Sequence, residues 1–362
     1  MKTLMPIAVC VVISGFAIQA AHAEEPFRAL RKAERIIAAR GEGYFPVMIK
    51  LRGGALGAVI RGGAPHIGIG GRLDFIRSTD GGRTWSNPIV AVDSPWDDRN
   101  PALGQMPDGT LVLAYSEVHS YRPNGTFDLA AGPFLPFLVT STDGGRTWSP
   151  KRPFSSPWPS VSPFGKITVC KNGMALMSIY LVPTGAMGVV RSSDNGRTWG
   201  DYTILAKGDG CDETQLFEFP DGRLAAFTRM EGDRNRGLRL SESDDQGRTW
   251  GKTRKLMKAQ QWPFDATLLR SGHLLLSYGC RVGRFGAGVV LSKDNGKTWD
   301  EAHRVMVGWD SLNTDTGYPS TVQFDDGTIV TMYYAVGTAA LPGAQAIVVR
   351  YTEQQLAEAM SP

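Results

Sequence analysis

The sequence has few cysteines and little excess of charge of either sign. Four Cys occur in 362 residues, and none forms a Cys-x-x-Cys pair or a Cys/His cluster with metal-ligand spacing. Lys and Arg number 39 against 35 Asp and Glu, a net charge of +4 that makes no electrostatic case for nucleic acid. We therefore expect no nucleic-acid partner and no cofactor, and we assign no metal ligands.

Long hydrophobic runs are absent after the first 23 residues. The N-terminus combines Lys2, an apolar stretch from Leu4 to Ile18 and the small-residue site Ala21-His22-Ala23, a pattern typical of a cleavable secretory signal peptide. The apolar stretch is shorter than the ~20 residues that a membrane span needs. The pattern predicts a signal peptide over residues 1–23, a mature chain from Glu24 in the periplasm or outside the cell, and no integral membrane segment.

Glycine and proline are abundant instead, with 43 Gly and 22 Pro, which indicates many turns. One motif, Ser-x-Asp-x-Gly-x-Thr-Trp, recurs at intervals of 49 to 63 residues, the length of a four-stranded propeller blade. The five copies of this box begin at Ser78, Ser141, Ser192, Ser243 and Ser292. Asp-x-Gly between extended segments makes a tight turn in which the carboxylate accepts backbone N–H bonds. We interpret the boxes as turns that support packing, without a catalytic role.

A second glycine turn, flanked by alternating apolar residues, also occurs once per repeat. Its six copies are Gly53-Gly54, Asp108-Gly109, Asn172-Gly173, Asp221-Gly222, Ser271-Gly272 and Asp326-Gly327. Together the two turns predict an all-β fold, a six-bladed β-propeller over residues 44–362 with Asp-box repeats. The last blade lacks a box, and Ala346–Arg350 is its predicted outer strand. Residues 24–43 are expected to form either a short helix or part of the closure of the propeller.

Functional side chains are expected at the end of the propeller opposite both turns, where loops converge around the axis. Carboxylates, arginines and aromatic residues are predicted to meet there. Aromatic rings stack on sugar C–H surfaces, and guanidinium groups bind carboxylates in a bidentate manner. This combination favours a glycan or polysaccharide as substrate.

Two segments resemble the sialidase (neuraminidase) superfamily, whose six-bladed propellers carry the same boxes. They are Cys211–Leu224 followed by Arg229, and Gly317-Tyr318-Pro319-Ser320-Thr321. The resemblance implies Tyr318 as nucleophile, Glu213 as its base and Arg229 as one arginine of the carboxylate-binding triad. It implies a second such arginine at the end of the fifth blade, where Arg284 is preferred over Arg281.

The first blade departs from the family pattern. That pattern has Arg-Ile-Pro on the first strand and an Asp acid/base after the second, where this chain has Tyr44-Phe45-Pro46 and Arg61-Gly62-Gly63. Arg61 cannot be a general acid, and we expect it to bind the substrate's carboxylate, as we do for Arg99. The proton donor must then come from another residue. The candidates are His66, Asp97, Asp98 and Glu117, with Asp98 and His66 preferred.

The function that the resemblance implies is a secreted, retaining exo-glycosidase acting on a terminal acidic sugar, with sialic acid as the default substrate. Two alternatives remain open. The same scaffold could hydrolyse or eliminate a different residue, such as a uronic acid, with His66 as acid or base. It could also be a non-catalytic glycan-binding propeller.

Overall fold

The structure, a computed structural model, describes residues 27–183, 185–208, 210–230, 237–257 and 261–361. The signal peptide predicted over residues 1–23 lies outside these ranges. Within them, no helix has the length and apolar character that crossing a membrane requires.

The described residues form 25 strands, one α-helix and one turn of 3-10 helix. The strands are β1 Arg28–Ala29, β2 Glu34–Arg40, β3 Tyr44–Lys50, β4 Leu56–Gly62, β5 Arg72–Ser78, β6 Ile89–Val92, β7 Asp97–Gln105, β8 Leu111–Val118, β9 Phe134–Ser141, β10 Arg152–Pro153, β11 Val161–Val169, β12 Ala175–Leu181, β13 Ala186–Ser192, β14 Gly200–Lys207, β15 Cys211–Glu218, β16 Leu224–Met230, β17 Gly237–Ser243, β18 Arg254–Met257, β19 Gln261–Leu268, β20 Leu274–Val282, β21 Arg284–Ser292, β22 Val305–Gly308, β23 Thr316–Gln323, β24 Thr328–Val336 and β25 Ala344–Thr352. The helix α1 spans Glu353–Met360, and the 3-10 turn spans Glu301–His303.

The strands form five sheets in a propeller-like arrangement, which confirms the predicted all-β class. Three sheets have four strands, in the orders β3-β4-β5-β6, β15-β16-β17-β18 and β2-β25-β24-β23. A fourth has the order β1-β22-β21-β20-β19, and the fifth has eight strands, β10-β9-β8-β7-β11-β12-β13-β14. The eight-stranded sheet contains two antiparallel four-stranded arrays, joined where β7 and β11 pair in parallel through two residue pairs.

The N-terminal segment forms strands and closes the last sheet, so the helix alternative is wrong. β1 pairs in parallel with β22, and β2 pairs antiparallel with β25. The outer strand of the last sheet is therefore β2, whereas the predicted outer strand, Ala346–Arg350, belongs to the third strand, β25. The composition of β2 suits a helix, but hydrogen bonding to the edge of β25 and packing of Ile36 on the core between the first and last sheets override that preference.

This closure also explains why the last sheet has no box. In the other sheets a box forms the turn between the third and fourth strands. In the last sheet those two strands come from opposite ends of the chain, so no turn joins them. The chain continues from β25 into α1 through a capping box, in which Thr352 Oγ1 accepts a hydrogen bond from the backbone N–H of Gln355.

The box aspartates are bonded to donors of their own turns. In the first box Asp80 Oδ1 accepts hydrogen bonds from the backbone N–H of Thr84 at 2.9 Å and from Ser78 Oγ at 2.8 Å. In the fifth box the hydrogen bond from the Thr298 hydroxyl is the main reason that the pKa of Asp294 falls to about 2. These bonds support the interpretation of the boxes as turns.

Candidate active site

Bulges in six strands shape the candidate site. In five of the six bulges two residues lie opposite one residue of the neighbouring strand, and the bulge of β11 contains three. The bulges lie in β3, β7, β11, β15, β19 and β23. Phe45, Asn100 and Tyr318 occupy three of them with positive φ angles of 51°, 56° and 53°, each immediately before a proline. Because a bulge redirects side chains, these residues reach the cavity on the axis.

The walls of this cavity are both aromatic and polar. Its lining includes Phe45, Asn100, Phe164, Gln215, Asp265 and Tyr318. Among the described residues, no group of three or more His, Cys, Asp or Glu could hold a metal ion.

Tyr318 and Glu213 form the central contact of the site. The Tyr318 hydroxyl donates to Glu213 Oε1 at 2.5 Å. Both side chains are buried, and burial followed by the Glu213 charge raises the pKa of Tyr318 far above its ordinary value. The phenol is therefore neutral at ordinary pH, with a carboxylate in place to accept its proton.

Arg229 completes this contact. Its Nη1 donates to Glu213 Oε2 at 2.6 Å and lies 3.4 Å from the Tyr318 hydroxyl. Arg229 lies opposite the bulge formed by Asp212 and Glu213, so β15 and β16 supply the base and the arginine from facing positions. The structure thus brings together Tyr318, Glu213 and Arg229, the residues that the resemblance implies as nucleophile, base and triad arginine.

The structure reverses the preference for Arg284 over Arg281. The guanidinium of Arg281 lies 5.8 Å from the centre of the Tyr318 ring, whereas that of Arg284 lies 5.0 Å from the centre of the Phe27 ring. Arg281 pairs with Phe285, and Arg284 pairs with Val282, so the two arginines project from opposite faces of the sheet. Arg281 Nε donates to the Thr316 carbonyl, and its buried Nη2 has no hydrogen-bond partner among the described residues.

Arg61 cannot bind a substrate carboxylate in this structure. Its side chain is completely buried, and Nε and Nη2 both donate to Asp97 Oδ1, at 3.2 and 2.6 Å. The remaining donors bind the backbone carbonyls of Ala64, Pro65 and Gly68. Because all five N–H groups of the guanidinium are used, the prediction for Arg61 is wrong.

Asp97 and Asp98 also fail as proton donors to the pocket. Both oxygens of Asp97 are engaged, one by Arg61 and the other by the Tyr121 hydroxyl at 2.6 Å. Asp98 is buried and accepts hydrogen bonds from the backbone N–H and hydroxyl of Ser94. Burial raises the pKa of Asp98 to about 7, but successive strand residues alternate between faces, and Asp98 faces away from the Tyr318 side.

Glu117 lies beside Asp98, because the two residues pair across β7 and β8. It binds His119 Nε2 at 2.9 Å and Lys151 Nζ. Their shared face continues into the apolar cluster between the first two sheets, which contains Tyr115. The opposite face carries Val118, which belongs to the cluster around Tyr318. Glu117 is therefore excluded for the same reason as Asp98.

His66 is the remaining proton-donor candidate, and it packs against the aromatic residues next to Tyr318. Its ring centre is 4.8 Å from that of Phe45, which in turn is 4.9 Å from that of Tyr318. His66 Nδ1 donates to Asp315 Oδ1 at 2.6 Å, while Nε2 has no hydrogen-bond partner among the described residues. The imidazole is 34% exposed, so Nε2 is accessible to a ligand.

Asp315 is a residue beside the site to which the sequence reasoning assigned no role. It also accepts a hydrogen bond from the Tyr334 hydroxyl at 2.6 Å. Burial by itself would raise the pKa of Asp315, but hydrogen bonds from His66 and Tyr334 and the charge of His66 hold it below its usual range. Its position three residues before Tyr318 was the available signal. The pairing with His66 depends on contact between distant loops.

Arg99 remains close to the site. Its guanidinium lies 5.4 Å from the centre of the Phe45 ring, and Nη1 is 3.5 Å from Asp97 Oδ2. Nε is buried and has no hydrogen-bond partner among the described residues. The second four-stranded array thus supplies a cation next to the aromatic wall of the pocket.

A family model described as "BNR repeat-like domain" matches residues 61–331. The chain belongs to this BNR-repeat family. A curated sialidase from Micromonospora viridifaciens is 27% identical to the BNR-repeat protein over 295 residues, which cover 71% of this chain and 44% of that sialidase. The chain thus spans less than half the length of this relative. The two matches confirm the resemblance to the superfamily of sialidase and BNR propellers.

Two solved structures share the fold of the BNR-repeat protein. A protein of unknown function from Dyadobacter fermentans has a TM-score of 0.76 at 23% identity, covering 88% of this chain and 98% of that one. A Hadza microbial sialidase has a TM-score of 0.68 at 19% identity, covering 86% of this chain and 66% of that one. At these identities the likeness establishes the fold alone.

Proposed function

We propose that the protein is a secreted, retaining exo-glycosidase of the sialidase type that releases a terminal acidic sugar, by default sialic acid, from a glycan. The proposal rests mainly on the 2.5 Å hydrogen bond between the Tyr318 hydroxyl and Glu213. A neutral phenol can attack the anomeric carbon of a negatively charged sugar without the repulsion that a carboxylate would meet. Arg229, Arg281 and Arg99 bind the carboxylate of that sugar.

The reaction has two displacements. In the first, Tyr318 attacks the anomeric carbon and passes its proton to Glu213 Oε1, while the glycosidic C–O bond breaks. The leaving oxygen takes a proton from Nε2 of His66, whose imidazole is oriented by Asp315. In the second, water attacks the same carbon and gives a proton to His66, while the Tyr318 oxygen departs and regains its proton from Glu213. Two displacements retain the configuration.

We also infer a six-bladed propeller for this enzyme. The eight-stranded sheet counts as two blades because it contains two antiparallel four-stranded arrays, each with its own bulged first strand. Six bulges then surround one axis, and those of β3, β15 and β23 contain Phe45, Glu213 and Tyr318. The predicted signal peptide agrees with a glycan substrate outside the cytoplasm.

Replacing the nucleophile tests this proposal. Tyr318→Phe should lower kcat for release of the aryl group from an aryl sialoside at least about a thousandfold, because the attacking oxygen is lost. Tyr115→Phe is the matched control, since the Tyr115 hydroxyl is buried and has no hydrogen-bond partner among the described residues. Wild-type turnover by Tyr318→Phe would refute the proposed nucleophile. Glycan binding without turnover by the unmodified protein would favour a non-catalytic propeller.

The His66–Asp315 pair favours one second candidate, a lyase acting on a uronic acid. In an elimination, arginines neutralise the sugar carboxylate, a base removes the adjacent carbon-bound proton, and an acid protonates the leaving oxygen. Tyr318 with Glu213 could act as the base and His66 as the acid. Incubation with polyuronides separates the reactions, since a lyase forms an unsaturated product that absorbs in the ultraviolet and a hydrolase forms only new reducing ends.

A further inference from the structure

We propose that Arg61 is a positioning residue that folds the loop 62–71 so that His66 lies against Phe45 with Nε2 free to reach a substrate held at Tyr318. The inference rests on the proposed function, in which His66 is the proton donor. Arg61 lies near the end of the second strand, β4, after which the sialidase pattern has its acid/base Asp, and His66 follows five residues later. The same loop thus contains the arginine that organises it and the histidine that would replace the missing acid.

The contacts of Arg61 span the loop. Nη1 donates to the carbonyls of Ala64 and Pro65, and Nη2 donates to the Gly68 carbonyl at 3.2 Å. These acceptors lie on both sides of His66 in the sequence. Because the guanidinium is planar, its donors fix these carbonyls relative to one another and thereby set the direction of the His66 side chain.

The loop leaves room for this guanidinium through Gly71. A Cβ atom at Gly71 would lie 2.2 Å from Arg61 Nη2 and 2.5 Å from Asp97 Oδ1. The loop is also tied to the next strand, because the Gly71 carbonyl accepts a hydrogen bond from the backbone N–H of Asp98 at 2.8 Å. The absence of a side chain at Gly71 therefore leaves the space that the Arg61 guanidinium occupies.

The positive charge of Arg61 is neutralised by an ion pair with Asp97. Asp97, completely buried like Arg61, pairs with two of the guanidinium donors, and its second oxygen accepts from the Tyr121 hydroxyl. A buried ion pair of this kind gives little net stability but fixes a geometry. Arg61 acts on the reaction through the position of His66, and it offers no free N–H group to a substrate.

Lysine at position 61 tests the geometry while it keeps the charge. An ammonium group has three donors at one point and cannot span the three carbonyls and Asp97. Arg61→Lys should lower kcat for an alkyl sialoside about a hundredfold, because the alkoxide leaving group needs a proton from an acid. The decrease in kcat should be much smaller for an aryl sialoside, because its good leaving group departs without protonation. KM should change little for both substrates.

Arg191→Lys is the matched control. Arg191 is also buried and also donates to backbone carbonyls, those of Asp201 and Gly247, but Gly247 lies in a box turn at the opposite end of the molecule. This variant should affect both substrates equally. An equal loss on both substrates in Arg61→Lys, or no loss on either, would overturn the positioning role.

A second measurement separates this inference from the proposed function. The hydrogen-bonded Nδ1–H proton of His66, assigned by its loss in His66→Ala, should give a proton NMR signal downfield of the amides. That signal should disappear in Arg61→Lys and persist in Arg191→Lys. If the unmodified protein turns over neither sialoside, the proposed function fails, while an unchanged signal in Arg61→Lys would refute the role of Arg61.

Asp97→Asn covers the case in which Arg61→Lys does not fold. It keeps the size of the side chain but removes the charge that binds Nε and Nη2 of Arg61. The same difference between alkyl and aryl sialosides is expected, together with loss of the His66 signal. A folded Asp97→Asn variant with wild-type kinetics and an unchanged signal would contradict the inference.

Discussion

Tyr318 has an unfavourable backbone conformation at the centre of the proposed site. Its φ of 53° is uncommon for a residue with a side chain, and the following proline restricts it further. The bulge in β23 makes this conformation compatible with the sheet, and the hydrogen bond to Glu213 satisfies the buried hydroxyl. Strain of this kind persists where surrounding contacts over-determine it, and such positions cluster at functional sites.

Asp98 supplies a prediction about pH and stability. Burial raises its pKa to about 7 in the folded state, above the value of ~3.9 for an unfolded chain, so the folded protein binds more protons between these limits. The contribution of Asp98 to stability is therefore greatest at low pH and falls as the pH rises towards 7. The Asp98→Asn variant has no carboxyl group at this position and should not lose this stability. The difference in free energy of unfolding, variant minus wild type, should therefore increase by about 2 kcal/mol between pH 5 and pH 8.

Urea unfolding at the two pH values measures this change, and Asp128→Asn is the control. The hydrogen bond from the backbone N–H of Ala130 is the main cause of a lowered pKa at Asp128, so its carboxylate stays charged throughout the range. The control should show no pH-dependent difference from wild type. An Asp98→Asn difference that is the same at pH 5 and pH 8 would contradict the prediction.

The sequence indicates which residues belong to the candidate site better than it indicates the face of the sheet from which each side chain projects. Tyr318, Glu213 and Arg229 were assigned through the resemblance of two short segments to the sialidase superfamily, and the structure places these three side chains in contact. The choice between Arg281 and Arg284 depends on the exact hairpin, since the two residues project from opposite faces around Gly283. Likewise, Arg61 pairs with Asp97, 36 residues away, a contact that no local pattern reports.

At the scale of elements, each box joins two neighbouring arrays. A Cβ at Gly145, in the second box, would lie 2.2 Å from the Phe75 ring of the first sheet. The corresponding glycines contact the preceding array in the same way: Gly82 near Val330, Gly196 near Val112, and Gly296 near Phe219. The glycine at the fifth position of the box therefore lets one array pack against the one before it.

Gly145→Ala should consequently be much more destabilising than Gly144→Ala. Both residues have positive φ angles, 88° and 75°, so each substitution carries a backbone cost of about 1 kcal/mol. A Cβ at Gly144 meets nothing within 4 Å, whereas one at Gly145 collides with Phe75, which adds about 1–3 kcal/mol. Denaturant unfolding measures both variants. Equal losses of stability would show that the box turn does not act through packing between arrays.

The repeated elements could be predicted from the sequence, and the N-terminal strand could not. The boxes and glycine turns are specified by residues that are adjacent in the sequence, so their positions indicate directly where the hairpins lie. β2 instead has Ala, Arg and Glu around Ile36 and Ile37, and it becomes a strand because β25 offers an unpaired edge. That edge lies more than 300 residues away in the chain, which places it beyond any pattern read along the sequence.

At the scale of the whole molecule, Arg350 connects the two ends of the chain. Its Nε donates to the carbonyl of Gly81 in the first box at 2.8 Å, and its Nη1 donates to Glu34 in β2. Oε2 of Glu34 also lies 3.7 Å from Nε of Arg83, which belongs to the same box. The first sheet, the last sheet and the N-terminal strand thus meet at one guanidinium, which is nearly buried.

Arg350→Met should therefore loosen the closure and lower the free energy of unfolding by about 1–3 kcal/mol, since the Gly81 carbonyl and Glu34 lose their donor. Hydrogen exchange should rise in peptides that cover β2 and the first box, while β15–β18 stay protected. Lys32→Met is the control, because the ion pair of Lys32 with Glu358 is exposed and should contribute less than about 0.5 kcal/mol. Faster exchange spread evenly over all sheets would mean that Arg350 does not hold the closure in particular.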